Sequence, residues 1–202
     1  MIIKAIENLF IVRKDSYPQQ IDTQNMYNVV KLPLTTDIIK SHLDGFITIG
    51  CWQTDPLTKK VKWVCFDFDG IVEEEFEKAK KLFYKLKGKG FNPLMEFSGR
   101  RGYHIWLFVE PVDMSIARQF VLEVSKDENV SDVYPKSDKL NGEGYGFQVK
   151  LPLGIHRVFM QRSFLFDENL KPLSQNEGEE FLIKLSEQKR DKIFIINVKS
   201  FV

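Results

Sequence analysis

Residues 62–70, KWVCFDFDG, form an apolar strand pattern that carries two carboxylates, Asp67 and Asp69. Successive side chains of a strand point to opposite faces, so the two acids share one face with Cys65 and lie roughly 7 Å apart. An unpartnered buried carboxylate destabilises a fold by several kcal/mol. Either a cation therefore lies between the acids, or they lie at an open edge of the sheet. The simpler alternative is one exposed edge acid followed by a turn acid before Gly70.

The composition limits the classes of protein that fit. The 202 residues suit one domain or two small modules that share a core. The net charge of +1 excludes binding of nucleic acid by overall charge, so a polyanion requires a local basic patch. Cys51 and Cys65 form no Cys/His cluster, which argues against a zinc site or a disulfide framework. No run has transmembrane length and no signal peptide is evident, so we expect a soluble cytoplasmic protein without a membrane partner.

Periodicity predicts strands that alternate with amphipathic helices. The predicted helices cover 35–45, 73–90, 115–124 and 176–189, and the predicted strands cover 46–52, 61–68, 93–99, 103–110, 132–138, 146–153 and 193–202. Hairpin-like strand pairs among helices predict an α+β fold with a mixed, largely antiparallel sheet and helices packed on it. We expect one chain-long unit, residues 1–202, with an N-terminal α/β module over about 1–60 and a second module over about 61–202.

The segment EFSGRRGYHIW, residues 96–106, is a second candidate for function. Gly99 and Gly102 allow a tight corner, and four donor side chains surround it: Ser98, Arg100, Arg101 and His104. Guanidinium groups and free backbone N–H groups suit a phosphate or triphosphate. The alternative is an ordinary hairpin with an exposed GRRG loop.

A third segment, residues 134–157, contains Asp138, a glycine-rich connection, Lys150 and His156. Each residue alone has an ordinary interpretation as a turn acid, a strand lysine or a loop histidine. Together the three segments supply an acidic pole and a basic pole. Metal-assisted phosphoryl or nucleotidyl transfer needs this division, because carboxylates bind Mg²⁺ or Mn²⁺ while cations bind the triphosphate.

The order FDFDG, SGRRGYHIW and KSDKL followed by KLPLGIH resembles the catalytic core of the archaeo-eukaryotic primases, the primase-polymerase superfamily. The similarity spans about residues 63–156. It implies an RRM-like catalytic module in which Asp67, Asp69 and Asp138 bind two divalent ions, Mg²⁺ or Mn²⁺. The family spacing favours Asp138 over Asp132 as the third acid. It also implies that six residues bind the nucleoside triphosphate: Ser98, Arg100, Arg101, His104, Lys150 and His156.

The resemblance implies a template-dependent nucleotidyltransferase, a DNA primase or polymerase that joins dNTPs or NTPs with release of pyrophosphate. Its implied partners are a single-stranded DNA template and a primer. The VYPKSD and GFQVKLPLG segments are most similar to microbial defence-associated members, which implies CRISPR or other defence proteins as further partners. The zinc-binding cysteines of many primases have no counterpart in this sequence.

Two alternatives remain open from the sequence. FDFDG also resembles the first motif of haloacid-dehalogenase-like phosphatases, in which Asp67 would be the nucleophile. That family has Thr where Ile71 stands and needs a further acidic motif on a parallel sheet. The other alternative is a non-catalytic RRM-like nucleic-acid-binding module, although the presence of all three acids argues against a decayed site.

Overall fold

The structure is a computed structural model that describes residues 1–140 and 144–194. The helices are α1 (Ile2–Leu9), α2 (Thr36–Asp44), α3 (Val72–Gly88), α4 (Met114–Ser125) and α5 (Gln175–Glu187). The strands are β1 (Tyr17–Gln20), β2 (Tyr27–Val30), β3 (Gly50–Trp52), β4 (Lys60–Asp69), β5 (Leu94–Phe97), β6 (Gly102–Asp113), β7 (Asp132–Tyr134), β8 (Gln148–Lys150), β9 (Ile155–His156), β10 (Gln161–Arg162) and β11 (Phe164–Leu165). From residue 195 onward, the predicted closing strand lies outside the described residues.

The main sheet has five strands in the order β11-β5-β6-β4-β7, and each adjacent pair is antiparallel. The strand that carries the two acids, β4, lies between β6 and β7. Three antiparallel pairs, β1-β2, β3-β8 and β9-β10, accompany this sheet. The predicted α+β class with a largely antiparallel sheet is confirmed. The antiparallel neighbours of β4 disagree with the haloacid-dehalogenase-like alternative, which requires a parallel sheet.

Hydrophobic cores cover both faces of the main sheet. On one face, Phe66 and Phe68 of β4 pack in a cluster with α3 and α4. On the other face, Trp63 and Cys65 belong to a second cluster that includes residues of α1 and α2. Because full burial of one large apolar side chain contributes about 1.5–3 kcal/mol, these two clusters fix which face each β4 residue occupies.

The predicted helices begin and end close to their observed bounds. Thr35 caps α2 by accepting a hydrogen bond from the Ile38 N–H, and Gly45 ends the helix with a φ of 86°. Helix α3 buries Ala79 and Leu82 as its spacing predicts. The second core contains residues from both sides of position 60, so the division into two modules stays a prediction. Within the described residues, none of the helices is both long and apolar enough to cross a membrane.

Buried His42 ties α2 to the strands of the second core. Its Nδ1 accepts a hydrogen bond from the Ile49 N–H at 3.1 Å, so its Nε2–H donates to the Pro152 carbonyl oxygen, also at 3.1 Å. This arrangement requires a neutral ring. Burial, together with nearby Lys150, lowers the pKa of His42 to about 3.

We therefore expect acid to destabilise the fold through His42. In the unfolded chain His42 takes up a proton near its ordinary pKa of about 6.5, whereas in the folded chain it does so only near 3. Between these values the unfolded state binds more protons, so its contribution to stability is present above pH 6.5 and falls as the pH is lowered. Urea unfolding from pH 7 to pH 4 should show a shallower decline for His42→Gln than for the wild type. Parallel declines would contradict the assignment.

Candidate active site

One row of polar side chains crosses four strands of the main sheet. The strand register pairs Glu96 of β5 with His104 of β6, His104 with Asp67 of β4, and Asp67 with Asp132 of β7. Directly opposed residues of antiparallel strands project from the same face. This is the face of the second core, at the end where that core opens to solvent. Asp69 lies two residues beyond Asp67 on the same face.

The two acids of β4 differ in environment. Burial raises the pKa of Asp67, and the neighbouring acids Asp69 and Asp132 raise it further. His104 acts in the opposite direction but does not outweigh them. Nε2 of His104 lies 3.6 Å from Oδ1 of Asp67. A hydrogen bond from Arg101 lowers the pKa of Asp69, which is partly exposed. Asp67 is thus a half-buried carboxylate near other acids, and a nearby cation would stabilise its ionised form.

The glycine-rich corner between β5 and β6 has the tight geometry that the sequence predicts. Gly99 has a φ of +84°, and a Cβ there would lie 2.7 Å from the Gln161 carbonyl oxygen. At Gly102 a Cβ would collide with the Phe68 carbonyl oxygen. The absence of side chains lets the corner lie against β4 and the β9-β10 hairpin. As a result, Ser98 and Arg100 lie beside the acids.

Cationic and histidine side chains form the other side of the site. Lys150 of β8 and His156 of β9 are both buried. Burial, together with Lys150 and Arg100, lowers the pKa of His156 to about 4. His104 behaves differently: burial alone would lower its pKa, but Glu96 and Asp67 outweigh that effect and raise it. Arg100 lies 3.9 Å from Asp69, and its guanidinium carbon is 5.6 Å from the centre of the Phe159 ring.

These groups line one open cleft of about 250 Å³. Its lining residues are Asn25, Tyr27, Asp67, Asp69, Ser98, Arg100, Gly102, His104, Tyr134, Gln148, Val149, Lys150 and His156. The structure therefore brings together seven of the nine residues that the sequence singled out. The N-terminal β1-β2 region also contributes, through Asn25 and Tyr27.

Asp138 does not line this cleft, so the structure gives no support to its predicted convergence with Asp67 and Asp69, which stays a prediction. It lines a separate cavity with Lys59 and Asp113. The physical reason is that β7 ends at Tyr134, so the chain has left the sheet before it reaches residue 138. Asp132, the alternative set aside at the sequence level, lies directly across from Asp67.

Arg101 is the other predicted residue that does not line the cleft. Its Nε and Nη2 donate to the two carboxylate oxygens of Asp69 at 2.7 and 3.2 Å. Its side chain is half exposed. Arg101 is therefore a partner of an acid, whereas Arg100, its neighbour in the chain, lies in the cleft wall.

Sequence reasoning missed Glu96, and it considered Asp132 but preferred Asp138. Glu96 is completely buried, and its strand, LMEF, is otherwise apolar. The same signal that drew attention to Asp67, an acid within an apolar strand, would have identified it. For Asp132, the alternation of side chains along the strand could not decide between Asp132 and Asp138, because the partner strand was unknown.

The chain was compared with known proteins. A family model described as the archaeo-eukaryotic primase domain of the TOTE conflict system matches residues 4–194. A search of curated proteins gave no significant match. Among solved structures, the archaeo-eukaryotic primase domain of the cyanophage S-2L primase-polymerase is 11% identical with a TM-score of 0.50. The alignment covers 90% of this chain and 96% of that one.

Two further structures are similar at comparable coverage. The catalytic domain of primase RepB′, solved in complex with initiator DNA, is 11% identical with a TM-score of 0.48, and the alignment covers 92% of this chain and 93% of that one. The polymerase domain of Mycobacterium tuberculosis ligase D, solved with DNA, is 13% identical with a TM-score of 0.49, at 91% and 88% coverage.

The family model extends over nearly the whole chain, and the cyanophage likeness shows the fold. The family model supports a nucleotidyltransferase of the primase or polymerase type. The match names a conflict system, in agreement with the predicted defence association, while the link to CRISPR stays a prediction. This chain belongs to the family of archaeo-eukaryotic primase domains of TOTE conflict systems.

Proposed function

We propose that the protein is a template-dependent nucleotidyltransferase that extends or starts a nucleic acid strand from nucleoside triphosphates, with release of pyrophosphate. The observation that carries the proposal is the cleft, in which Asp67 and Asp69 face Arg100, Lys150 and His156. An acidic wall opposite a cationic wall is the division of charge that metal-assisted nucleotidyl transfer requires.

The cationic wall is the proposed binding site for the triphosphate. Arg100 offers a planar fork of N–H donors that matches phosphate oxygens. His104 projects its Nε2 edge toward Asp67 and the cleft, and Ser98 adds a hydroxyl group. Nucleotide selection and alignment with the attacking hydroxyl would follow from this fixed placement, which supplies much of the rate enhancement in phosphoryl-group chemistry.

The acidic row is the proposed site for two divalent ions, Mg²⁺ or Mn²⁺. Asp67, Asp69 and Asp132 provide the oxygen ligands that these hard cations prefer, and the raised pKa of Asp67 marks a charge that lacks compensation. Bound divalent ions would neutralise the triphosphate and lower the pKa of the attacking 3′-hydroxyl group.

The carboxylate oxygens of Asp67, Asp69 and Asp132 suit two divalent ions. In this structure, however, ion pairs hold two of these carboxylates away from a shared position. Within the described residues no three acid, histidine or cysteine side chains lie close enough together to hold a metal ion. Asp69 is held by Arg101, and Asp132 accepts a hydrogen bond from Lys136 at 2.6 Å. Release of these two carboxylates from their partners is thus part of the proposal.

A primer-extension assay tests the proposed function. The purified chain is incubated with a single-stranded DNA template, with and without a primer, and with labelled dNTPs or NTPs and Mn²⁺ or Mg²⁺. We expect incorporation accompanied by pyrophosphate. DNA binding without any turnover, and without dependence on divalent ions, would instead favour the non-catalytic RRM-like alternative. A phosphorylated Asp67 would favour the phosphatase alternative.

The two adjacent arginines offer a matched comparison. Arg100 lines the cleft, whereas Arg101 is half exposed and bound to Asp69. Arg100→Ala should raise the KM for nucleotide by about tenfold, because a charge-assisted contact to phosphate contributes about 1.5–3 kcal/mol. Arg101→Ala should change the nucleotide KM less. A larger effect on KM at Arg101 than at Arg100 would show that the loop binds the triphosphate through the other arginine.

A further inference from the structure

Glu96 is a completely buried carboxylate in contact with two residues that line the cleft, His104 and Lys150, and it has no role in the chemistry described above. Its Oε2 lies 2.9 Å from His104 Nδ1 and accepts a hydrogen bond from Trp106 Nε1 at 3.0 Å. Its Oε1 lies 3.4 Å from Lys150 Nζ. Burial alone would raise the pKa of Glu96, but Lys150 and His104 hold it at about 2.

The contact with Glu96 fixes the orientation of the His104 ring. An ionised carboxylate can only accept hydrogen bonds, so Nδ1 of His104 must carry a proton and donate it to Glu96. The opposite ring atom, Nε2, is then the one that faces Asp67 at 3.6 Å and lines the cleft. A hydrogen bond to one nitrogen of an imidazole sets what the other nitrogen can do.

The same carboxylate also holds Lys150. Besides Glu96, the ammonium group donates to Ser163 Oγ at 2.8 Å and to the Leu151 carbonyl oxygen at 3.0 Å. These acceptors match the three N–H donors of the ammonium group. Lys150 lies on β8, which pairs with β3, whereas His104 lies on β6 of the main sheet. Glu96 therefore connects cleft residues of two different sheets.

We propose that Glu96 is a positioning residue, which orients His104 and holds Lys150 near it, so that the Nε2 edge of His104 and the positive charge of Lys150 act on one phosphate chain. The inference deepens the proposed function and depends on it for the identity of the ligand. Glu96 itself touches neither substrate nor metal in this proposal.

The test compares Glu96→Gln with Glu128→Gln in the full chain. Glu128 is also a buried carboxylate bound by lysines, Lys81 and Lys85, but it lies outside the cleft. For metal-ligating histidines, loss of the orienting carboxylate typically costs 10–100-fold in metal affinity or activity, and we expect an effect at the lower end of this range for a phosphate contact. We expect Glu96→Gln to weaken the binding of inorganic triphosphate, measured by calorimetry, and to raise the nucleotide KM by about tenfold. Glu128→Gln should change neither quantity.

A spectroscopic measurement distinguishes positioning from loss of fold. In ¹⁵N spectra of histidine-labelled protein, the Nδ1 signal of His104 should shift in Glu96→Gln and remain in place in Glu128→Gln. Glu96→Asp keeps the charge and should recover part of the triphosphate affinity. Unchanged triphosphate affinity and an unchanged His104 signal in a folded Glu96→Gln would overturn the inference. Absence of nucleotide incorporation by the wild type would overturn the proposed function instead, while the His104 signal would still report on Glu96.

Discussion

Replacement of both Asp67 and Asp69 by alanine is expected to abolish nucleotide incorporation while the fold persists. Loss of the ligands for divalent ions removes several kcal/mol of charge stabilisation in the transition state, which corresponds to roughly a 10³-fold loss of rate or more. Stability should be unchanged or raised, because partial burial and the neighbouring acids raise the pKa of Asp67, so its ionised form is destabilised in the folded chain. The measurements are primer extension and thermal unfolding.

The control for this variant removes the same amount of charge from the same sheet. Glu110 and Asp113 are exposed acids at the other end of β6 from His104, so Glu110→Ala with Asp113→Ala should retain full incorporation. Undiminished activity of the variant at positions 67 and 69 would refute the proposed metal site. Equal losses in both double variants would show that net charge, rather than the cleft, determines the activity.

Asp132→Asn is expected to lower incorporation by roughly 100-fold, and Asp138→Asn is expected to change it by less than about twofold. Asp132 is the cross-strand partner of Asp67, at a separation of Cβ atoms of roughly 4.5–5.5 Å, from which two carboxylates can share a cation. Asp138 lines a different cavity and is not among the residues that line the cleft.

These two variants remove the same charge from positions six residues apart in one segment, so each serves as the control of the other. A titration with Mn²⁺, followed by the paramagnetic broadening of nearby NMR signals, adds a measurement independent of turnover. Asp132→Asn should weaken the broadening near Asp67. Loss of activity in Asp138→Asn alone would restore the assignment that the family spacing implies.

Much of the fold follows from local patterns. Helix α3 was predictable because its apolar residues recur at helical spacing, and α2 because Thr35 and Gly45 mark its ends. The burial of β4 was predictable from its apolar residues. By contrast, α1 has eight residues, too few for periodicity to identify a helix, and its stability comes from packing against the second core.

The candidate site was predictable where one segment supplies several of its residues. The corner between β5 and β6 carries Ser98 and Arg100 to the cleft together, as the GRRG segment indicated. The choice between Asp132 and Asp138 was not predictable in this way. It depends on which strand pairs with β4 and in which register, and neither is a property of the segment itself.

The register in which the short strand β7 pairs with β4 decides whether Asp132 lies on the same face of the sheet as Asp67. Asp132, Val133 and Tyr134 alternate across the sheet, and Val133 packs in the first core while Tyr134 packs in the second. A slip by one residue would exchange the two faces, which would bury the Asp132 carboxylate among apolar side chains and expose Val133 to the cleft. A slipped register of β7 is therefore less stable than the observed one. The burial of Val133 and Tyr134 thus ensures that Asp132 faces Asp67.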